Sequence, residues 1–253
     1  MAEPGEDRVA LVTGSGLRLG KDIALHLAKK GYKIALHYCA SEAQAQDSLE
    51  EIKAINQDCQ LFPLDFSKNN NYEEYLQAIE QRLGRLKLLV NSASYYTEAT
   101  IQKATQAQFE KMFRINLQAP FFLSQAFYNL VQKGSIINII DNKMHFNQYQ
   151  YSHYLLSKKA LAEFTKMAAL EFAPRVRVNG IAPGVIMPKG SRTKEYLAWR
   201  IKGIPLGFQG DSADILQGID YLLSSYFVTG EILTIDGGES ANKVGNNFSS
   251  FQE

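Results

Sequence analysis

The chain has 253 residues, of which 45% are hydrophobic, and its 27 basic and 26 acidic side chains leave a net charge of +1. At roughly 150 residues per domain, this length allows one or two domains and a full hydrophobic core. The balanced charge argues against a protein that coats nucleic acid or lies on a membrane surface, because both usually need a basic excess. We therefore expect neither partner, whereas a local anion site stays open.

The cysteines and the chain ends narrow the class further. Cys39 and Cys59 are too few for a disulfide framework and lack metal-ligand spacing, so we expect a reducing, cytoplasmic compartment and no metal. Residues 1–7 are polar and predicted to be flexible, without the apolar region of a secretory signal, and residues 241–253 are a predicted tail. No window approaches the ~20 apolar residues of a membrane helix. One domain is expected over residues 8–240.

Strands and helices alternate along the chain. Strands are predicted at residues 8–13, 33–38, 60–64, 86–90, 134–140, 176–181 and 231–235. Helices are predicted at about residues 20–30, from residue 41, and at 72–83, 106–132, 152–172 and 211–225. This order predicts an α/β fold, namely a single Rossmann-type domain with a doubly wound parallel sheet of about seven strands. Such a sheet binds ligands at the carboxyl ends of its strands, so functional residues should follow strands.

A glycine-rich turn follows the first strand. Gly14, Gly16 and Gly20 let the backbone turn tightly and approach a pyrophosphate, and the helix N-terminus behind them supplies free N–H groups. The position after a strand and before a helix is the context that a dinucleotide site requires. Arg18 stands in the middle of this turn. It is either a solvated surface arginine or a cation placed among phosphates, and the flanking glycines favour the second interpretation.

The end of the second strand bears on the choice between NAD and NADP. An NAD site usually places an acid about 20 residues after the glycine turn, where it binds the ribose hydroxyls. Here no carboxylate occurs between His37 and Glu42. Ser41 at a helix start, with Arg18 nearby, would suit a 2′-phosphate, so the predicted cofactor is NADPH. His37 is equally consistent with an ordinary packed histidine.

Candidate catalytic residues follow the fifth strand. Tyr154 and Lys158 are four residues apart and therefore share one helical face. A lysine ammonium near a tyrosine hydroxyl is expected to lower the tyrosine pKa and to make it a usable acid. Asp141 ends a buried strand and is either a turn-starting residue or a proton-relay acid. Asn91 and Asn116 are weaker candidates, which ordinary cap or core roles would also explain.

These motifs together resemble the short-chain dehydrogenase/reductase family over about residues 7–240. They are, in chain order, Thr13-Gly14 to Gly20, Asn91-Ser92-Ala93-Ser94, Asn116, Tyr154-x-x-x-Lys158, Arg177-Val178-Asn179, Pro183-Gly184 and Asp236-Gly237-Gly238. The resemblance implies a nicotinamide cofactor and, commonly, a homotetramer. It implies that Tyr154 is the catalytic acid, that Lys158 binds the nicotinamide ribose and assists Tyr154, and that Asn116 holds a proton-relay water. The cofactor contacts implied are Gly14, Arg18, Leu19, Gly20, His37, Tyr38, Ser41, Asp65, Phe66, Asn91, Ala93, Tyr154, Lys158, Pro183 and Gly184.

Two departures narrow the resemblance to a subgroup. Most members carry glycine where this chain has Arg18, and serine where it has Asp141. Both changes occur together in the pteridine reductases and the similar bacterial dihydromonapterin reductases. The substrate contacts then implied are Arg18, Ser94, Tyr96, Asp141 and Tyr154, with the Tyr96 ring opposite the nicotinamide across a pterin.

The expected activity is NADPH-dependent reduction of a dihydropterin, similar to dihydromonapterin or dihydrobiopterin, to the tetrahydropterin. Hydride reaches a ring carbon, and a proton reaches ring nitrogen by way of Tyr154 and Asp141. The alternatives are a carbonyl or 3-oxoacyl-thioester reductase, an enzyme whose main activity is dihydrofolate reduction, and a non-catalytic cofactor-binding member. Residues 185–210 are predicted to form either a lid over the substrate or a subunit contact.

Overall fold

A computed structural model describes residues 8–187 and 193–241, so the predicted N-terminal segment 1–7 and the tail from residue 242 onward lie outside the described residues. The fold is a seven-stranded, all-parallel sheet in the order β3-β2-β1-β4-β5-β6-β7. The strands are β1 (Val9–Val12), β2 (Lys33–Tyr38), β3 (Gln60–Pro63), β4 (Leu86–Asn91), β5 (Gly134–Ile139), β6 (Val176–Pro183) and β7 (Ile232–Ile235). The predicted α/β fold class is thereby confirmed.

Helices cover both faces of this sheet. The helices of the described residues are α1 (Arg18–Lys29), α2 (Glu42–Lys53), α3 (Tyr72–Leu83), α4 (Gln106–Phe113), α5 (Ala119–Leu130), α6 (Ser152–Phe172), α7 (Lys194–Ile201) and α8 (Ser212–Ser224), of which α4 and α7 are outside the two cores. One core lies between the sheet and α1, α2 and α8, and the other lies between the sheet and α3, α5 and α6. The central strand β1 supplies alternate residues to the two cores, which explains why its sequence is apolar at every position.

The strand order fixes where a ligand can bind. From β1 the chain runs outward on one side through β2 and β3. It then returns past β1 to β4 on the other side, so the direction of strand addition reverses next to β1. A crevice opens at the carboxyl ends of strands at such a point. None of the helices within the described ranges is long and apolar enough to cross a membrane.

The structure differs from the predicted elements at three places. Helix α1 begins at Arg18, inside the glycine turn. The long helix predicted at 106–132 is broken by a π-helical turn at Arg114–Gln118, which apolar spacing alone does not signal. Helix α7 lies within the segment 185–210, for which no helix is predicted, and residues 188–192 of that segment lie outside the described residues.

Candidate active site

A cleft of about 860 Å³ lies at the carboxyl edge of the sheet. Its wall combines the glycine turn, the end of β2, the segment after β3, the turn after β4 and the start of α6. The predicted site residues in the wall are Gly14, Arg18, Leu19, Gly20, His37, Tyr38, Ser41, Asp65, Phe66, Ala93, Ser94, Asp141, Tyr154, Lys158, Pro183 and Gly184. The fold therefore brings residues from most of the chain length to one edge, where they could hold an extended dinucleotide.

A second cleft, of about 970 Å³, lies at the opposite edge and carries six basic side chains against one acid, Asp220. Its arginines are used within the fold. The guanidinium of Arg8 donates to the carbonyl of Lys30 after α1, and that of Arg175 donates to the carbonyl of Val131 after α5. Because helix carboxyl ends carry partial negative charge, these cations cap helices. None of the predicted site residues lines this second cleft.

The glycine turn is shaped by close chain contacts. Gly14 has a φ of +67°, and a Cβ atom there would lie 2.9 Å from the Cα atom of Ala93. The Thr13 hydroxyl oxygen accepts from the main-chain N–H groups of Ser92 and Ala93, each at 2.9 Å. These bonds join the turns after β1 and β4. No side chain caps the N-terminus of α1, so its first N–H groups face the cleft in a form that fits a phosphate.

Arg18 adopts a backbone conformation that favours glycine. Its φ is +57°, the only positive value at a non-glycine position within the described residues. A side chain in this region costs about 1 kcal/mol or more. The guanidinium reaches across the cleft and donates to the main-chain oxygen of Met187. Arg18 thus keeps the turn shape of a glycine while adding a cation to the cleft wall.

The buried His37 side chain is hydrogen-bonded to the same turn. Its Nδ1 accepts from the main-chain N–H of Gly14, and its Nε2 lies 2.9 Å from the main-chain oxygen of Leu64. The ring stacks on Phe66 with centroids 4.2 Å apart. These bonds require a neutral ring with the proton on Nε2, and burial lowers the pKa of His37 to about 4. His37 lines the cleft, and both of its ring nitrogens form hydrogen bonds with main-chain groups.

The neutral state of His37 makes stability depend on pH. The pKa is about 4 in the fold against 6.5 for a free histidine, so the unfolded chain binds the proton more readily. The contribution of His37 to the free energy of unfolding is therefore present above pH 6.5, and it is lost as the pH falls toward 4. We expect wild type to lose about 2 kcal/mol more than His37→Gln between pH 7 and pH 5. Urea unfolding measures the difference, and His145→Gln, at an exposed position, is the matched control. Identical pH slopes in wild type and His37→Gln would contradict a neutral buried His37.

The far end of the cleft is formed by Tyr38, Ser41, Asp65 and Phe66. Ser41 precedes α2 without a side-chain capping bond to it. The Asp65 carboxylate accepts from the main-chain N–H and the hydroxyl of Ser67, at 2.9 and 2.7 Å, and these bonds lower the pKa of Asp65. A fixed, ionised acid at this point is suited to accept from an amino group.

Tyr154, Asp141 and Lys158 meet at the near end of the cleft. The Tyr154 hydroxyl donates to Oδ2 of Asp141 at 2.6 Å. The Lys158 ammonium donates to the main-chain oxygen of Ile139 at 2.9 Å, and it lies 5.9 Å from the Tyr154 ring centroid. Asp141 also begins a short 3₁₀ helix, where its Oδ1 accepts from the main-chain N–H of Lys143 at 2.8 Å. The Asp141 carboxylate is therefore held by a donor at each oxygen.

The electrostatics of this group differ from the prediction. Burial and the adjacent Asp141 carboxylate raise the pKa of Tyr154 well above its usual value. Burial lowers the pKa of Lys158 to about 8, which Asp141 partly opposes. The predicted lowering of the Tyr154 pKa by Lys158 is wrong for this structure, because burial and the Asp141 carboxylate both favour the neutral phenol. Tyr154 is consequently protonated at neutral pH and able to donate.

The two asparagines are deeply buried. The Asn116 side chain lies in the π-helical turn, where its oxygen accepts from the Tyr95 main-chain N–H and its amide donates to the Tyr95 carbonyl and to the Ser157 hydroxyl. The Asn91 amide donates to Asn138 at 2.8 Å and joins β4 to β5. These bonds make Asn116 a support for the turn after β4, and they place the Asn91 side chain inside the sheet rather than in the cleft wall.

Two tyrosines after β4 face different surroundings. Tyr95 lines the cleft, with the Lys111 ammonium 4.7 Å from its ring centroid. Tyr96 packs edge-on against Tyr154 with centroids 4.7 Å apart and stacks on Tyr151. The predicted pterin contact at Tyr96 therefore stays a prediction. Tyr95, Lys111 and Thr13 were not among the predicted site residues; position after a strand was a usable signal for Thr13 and Tyr95.

The chain is similar to known proteins in sequence and in fold. The sequence profile of the short chain dehydrogenases matches residues 8–196. An uncharacterized oxidoreductase of Methylorubrum extorquens is 32% identical over 242 residues, covering 92% of this chain and 98% of that protein. The 3-oxoacyl-(acyl-carrier-protein) reductase FabG of Staphylococcus epidermidis is 27% identical, covering 92% of this chain and 98% of its own.

Solved structures of two FolM proteins are similar over nearly the whole chain. FolM alternative dihydrofolate reductase 1 from Brucella canis, complexed with NADP, superimposes with a TM-score of 0.86 at 26% identity, covering 98% of both chains. The same protein from Brucella suis, also in complex with NADP, has a TM-score of 0.87 at 27% identity, covering 95% of this chain and 97% of that one. The chain therefore belongs to the short-chain dehydrogenase/reductase family and is an NAD(P)-dependent oxidoreductase.

Proposed function

We propose that this chain reduces a dihydropterin to the tetrahydropterin with NADPH. The observation that carries the proposal is the 2.6 Å hydrogen bond between Tyr154 and Asp141 at the near end of the cleft. The family usually has a serine in place of Asp141, and a serine hydroxyl suits a carbonyl oxygen because it can donate to it. An ionised carboxylate accepts only, which suits a substrate that presents amino and amide N–H groups.

The proposed reaction needs a proton at a ring nitrogen. When bound, NADPH would supply the hydride to the adjacent ring carbon. Tyr154 holds its proton at neutral pH and would donate it to the nitrogen, and Asp141 orients that hydroxyl and passes a replacement proton from water. The buried Lys158 cation lies beside both groups and would stabilise negative charge as the proton leaves.

Preference for NADPH over NADH is supported by the charges at the far end of the cleft. No carboxylate follows β2 before Glu42, and the Ser41 hydroxyl is not used to cap α2. Arg18 is the cation of the glycine turn itself. Cys39 and Ala40 add no charge, so we assign the phosphate contacts mainly to Arg18 and to main-chain N–H groups.

Arg18→Gly tests this assignment. We expect at least a tenfold rise in the Kd of NADPH, because a charged hydrogen bond of about 1.5 kcal/mol or more is lost. The melting temperature should not fall, because glycine takes the positive φ of this position without cost. Fluorescence titration with NADPH and NADH measures both affinities, and Lys21→Ala, which removes another cation of α1, is the control. Unchanged affinity for both dinucleotides would refute a phosphate contact.

A second candidate is reduction of a 3-oxoacyl thioester. It is favoured by the 27% identity to FabG of Staphylococcus epidermidis over 92% of this chain. Asp141 argues against oxoacyl reduction, because its carboxylate accepts hydrogen bonds, whereas a substrate carbonyl oxygen requires a donor such as the serine hydroxyl. Dihydrofolate is a third candidate substrate, in view of the name of the FolM structures. A cofactor-binding role without catalysis is disfavoured by the intact arrangement of Tyr154 and Lys158 in the cleft.

Steady-state NADPH oxidation discriminates among these functions. The wild-type chain is assayed with dihydromonapterin, dihydrobiopterin, dihydrofolate and an acetoacetyl thioester side by side. We expect the highest kcat/KM with a dihydropterin, and chromatography should identify the tetrahydropterin as product. A higher kcat/KM with the thioester would assign the chain to oxoacyl reduction, and no turnover with any of the four would favour cofactor binding alone.

We also propose that the chain forms the homotetramer common in its family. Exposed apolar side chains on α5 and α6 support self-association. These are Phe121, Phe122, Leu156, Met167 and Leu170, which are 42%, 39%, 51%, 69% and 83% exposed. A monomer would leave this apolar patch in water.

A further inference from the structure

A cluster of charged side chains is buried behind Asp141, outside the cleft wall. It consists of Glu239, which follows β7, together with Lys143, Arg200 and Asn142, and is called the Glu239 cluster below. Glu239 is completely buried, and its Oε1 lies 2.5 Å from the guanidinium of Arg200 and 3.3 Å from the ammonium of Lys143. Its Oε2 accepts from the Asn142 amide at 2.9 Å. A buried carboxylate with three partners is costly to assemble, so its position calls for a reason.

The first connection of the cluster leads to Asp141. Asn142 and Lys143 are the two residues directly after it in the 3₁₀ helix Asn142–His145. The main-chain N–H of Lys143 is the donor that holds Oδ1 of Asp141, while Tyr154 holds Oδ2. By binding both side chains, Glu239 fixes the main chain that sets the orientation of the Asp141 carboxylate.

The second connection leads to α7. Arg200 lies on α7 and is 5% exposed. The chain after α7 packs on the turn that carries Glu239, since the main-chain N–H of Leu206 donates to the carbonyl of Gly237 at 3.1 Å. The Glu239 carboxylate therefore ties α7 and the Asp141 turn to one point, although the two are about 60 residues apart in the chain.

Charge balance around Asp141 also depends on Glu239. The ionisable groups facing this region are Tyr96, Tyr154 and Lys158 beside the cleft, His145 and Lys143 on the 3₁₀ helix, Arg200 on α7, and Asp236 and Glu239 after β7. Without the Glu239 charge, Lys143 and Arg200 would be two buried cations with Asp236 and Asp141 as the nearby carboxylates. The two cations would then be attracted to the Asp141 carboxylate and would change its orientation.

We propose that Glu239 is a positioning residue for the proton-transfer pair of Tyr154 and Asp141, acting through Lys143 and Asn142, and that it couples this pair to α7. The kinetic part of this proposal rests on the proposed dihydropterin reduction. The structural part, which is the coupling of the two segments, does not depend on any substrate.

Glu239→Gln is the principal variant. We expect kcat for dihydropterin reduction to fall about tenfold with little change in the KM for NADPH. The acid limb of the kcat profile should move to lower pH, because Lys143 and Arg200 lose the carboxylate that balances their charge next to the proton-transfer pair. Lys143→Met, which keeps the pair of Glu239 with Arg200, should move the same limb to higher pH. Combining Glu239→Gln with Arg200→Met should return the profile toward wild type. Glu231→Gln, at an exposed position near β7, is the matched control.

Hydrogen exchange of the NADP-bound protein tests the coupling without a reaction. Glu239→Gln should accelerate exchange in residues 142–146 and 194–201 together, and leave residues 9–29 as in wild type. A lower melting temperature with unmoved pH profiles in both single variants would show a merely structural role and overturn the proposal. If wild type reduces no dihydropterin, the proposed function fails and exchange alone decides. Faster exchange in both segments then supports the coupling, and unchanged exchange in residues 142–146 overturns it.

Discussion

Asp141→Ser lowers kcat/KM for dihydropterin reduction at least about tenfold, because the variant loses the carboxylate that accepts a 2.6 Å hydrogen bond from the Tyr154 hydroxyl. The loss of one charged hydrogen bond in the transition state is worth about 1.5–3 kcal/mol, which corresponds to tenfold or more. The dissociation constant of NADPH should stay within about twofold of wild type, since the change lies at the near end of the cleft. Steady-state kinetics with a dihydropterin, together with NADPH titration, measures both quantities.

Asp141→Asn is the matched control for this substitution. The asparagine oxygen can still accept from the Lys143 main-chain N–H, so the start of the 3₁₀ helix is kept while the charge is removed. We expect Asp141→Asn to be as impaired as Asp141→Ser, because both variants lose the carboxylate charge. Equal kcat/KM in wild type and in Asp141→Ser would remove Asp141 from the proton path.

Tyr154→Phe should produce the largest loss of all, about 100-fold or more in kcat, because general acids typically contribute about 10²–10⁴-fold. The fold should tolerate the change, since the phenylalanine ring keeps the edge-on contact with Tyr96. With the Tyr154 pKa raised by burial and by Asp141, wild-type kcat should show no alkaline fall from ionisation of this hydroxyl below pH 10. Stopped-flow single turnovers separate this chemical step from product release.

Tyr151→Phe is the control for Tyr154→Phe. The Tyr151 hydroxyl donates to Glu98 outside the cleft, and its ring stacks on Tyr96. We expect kcat within a few-fold of wild type for this variant. If Tyr154→Phe keeps more than a tenth of the wild-type kcat, Tyr154 is not the proton donor.

Much of the fold could be predicted from the sequence, because each buried strand is a short apolar run between turn residues. The strands of the sheet lie close to their predicted ranges, and β1 is apolar throughout because it supplies both cores. Helix α7 was not predicted from the sequence. Its eight residues include Arg200, which is buried only because Glu239 meets it from a distant part of the chain. The spacing of apolar residues within one segment cannot reveal an ion pair with a residue far away in the chain.

Position after a strand pointed to residues that line one cleft, whereas their pKa values could not be predicted from the sequence. The rule that ligands meet the carboxyl ends of strands led to Asp141, Tyr154 and the glycine turn, which the fold places in one cleft. The pKa of Tyr154 depends on burial and on the distance to Asp141, and neither can be read from the spacing of Tyr154 and Lys158. His37 shows the same limit, since its neutral state follows from bonds to Gly14 and Leu64 that the chain makes only when folded.

The most direct test of the account is to follow the hydride. Wild-type protein is given NADPH deuterated at the transferred position of the nicotinamide, together with a dihydropterin, and the product is examined by mass spectrometry and proton NMR. Reduction of the ring carbon–nitrogen double bond predicts one deuterium on the ring carbon of the tetrahydropterin, a proton from solvent on the nitrogen, and loss of this product in Tyr154→Phe. A dihydropterin recovered without deuterium, while an oxoacyl thioester becomes deuterated at its carbinol carbon, would contradict the account.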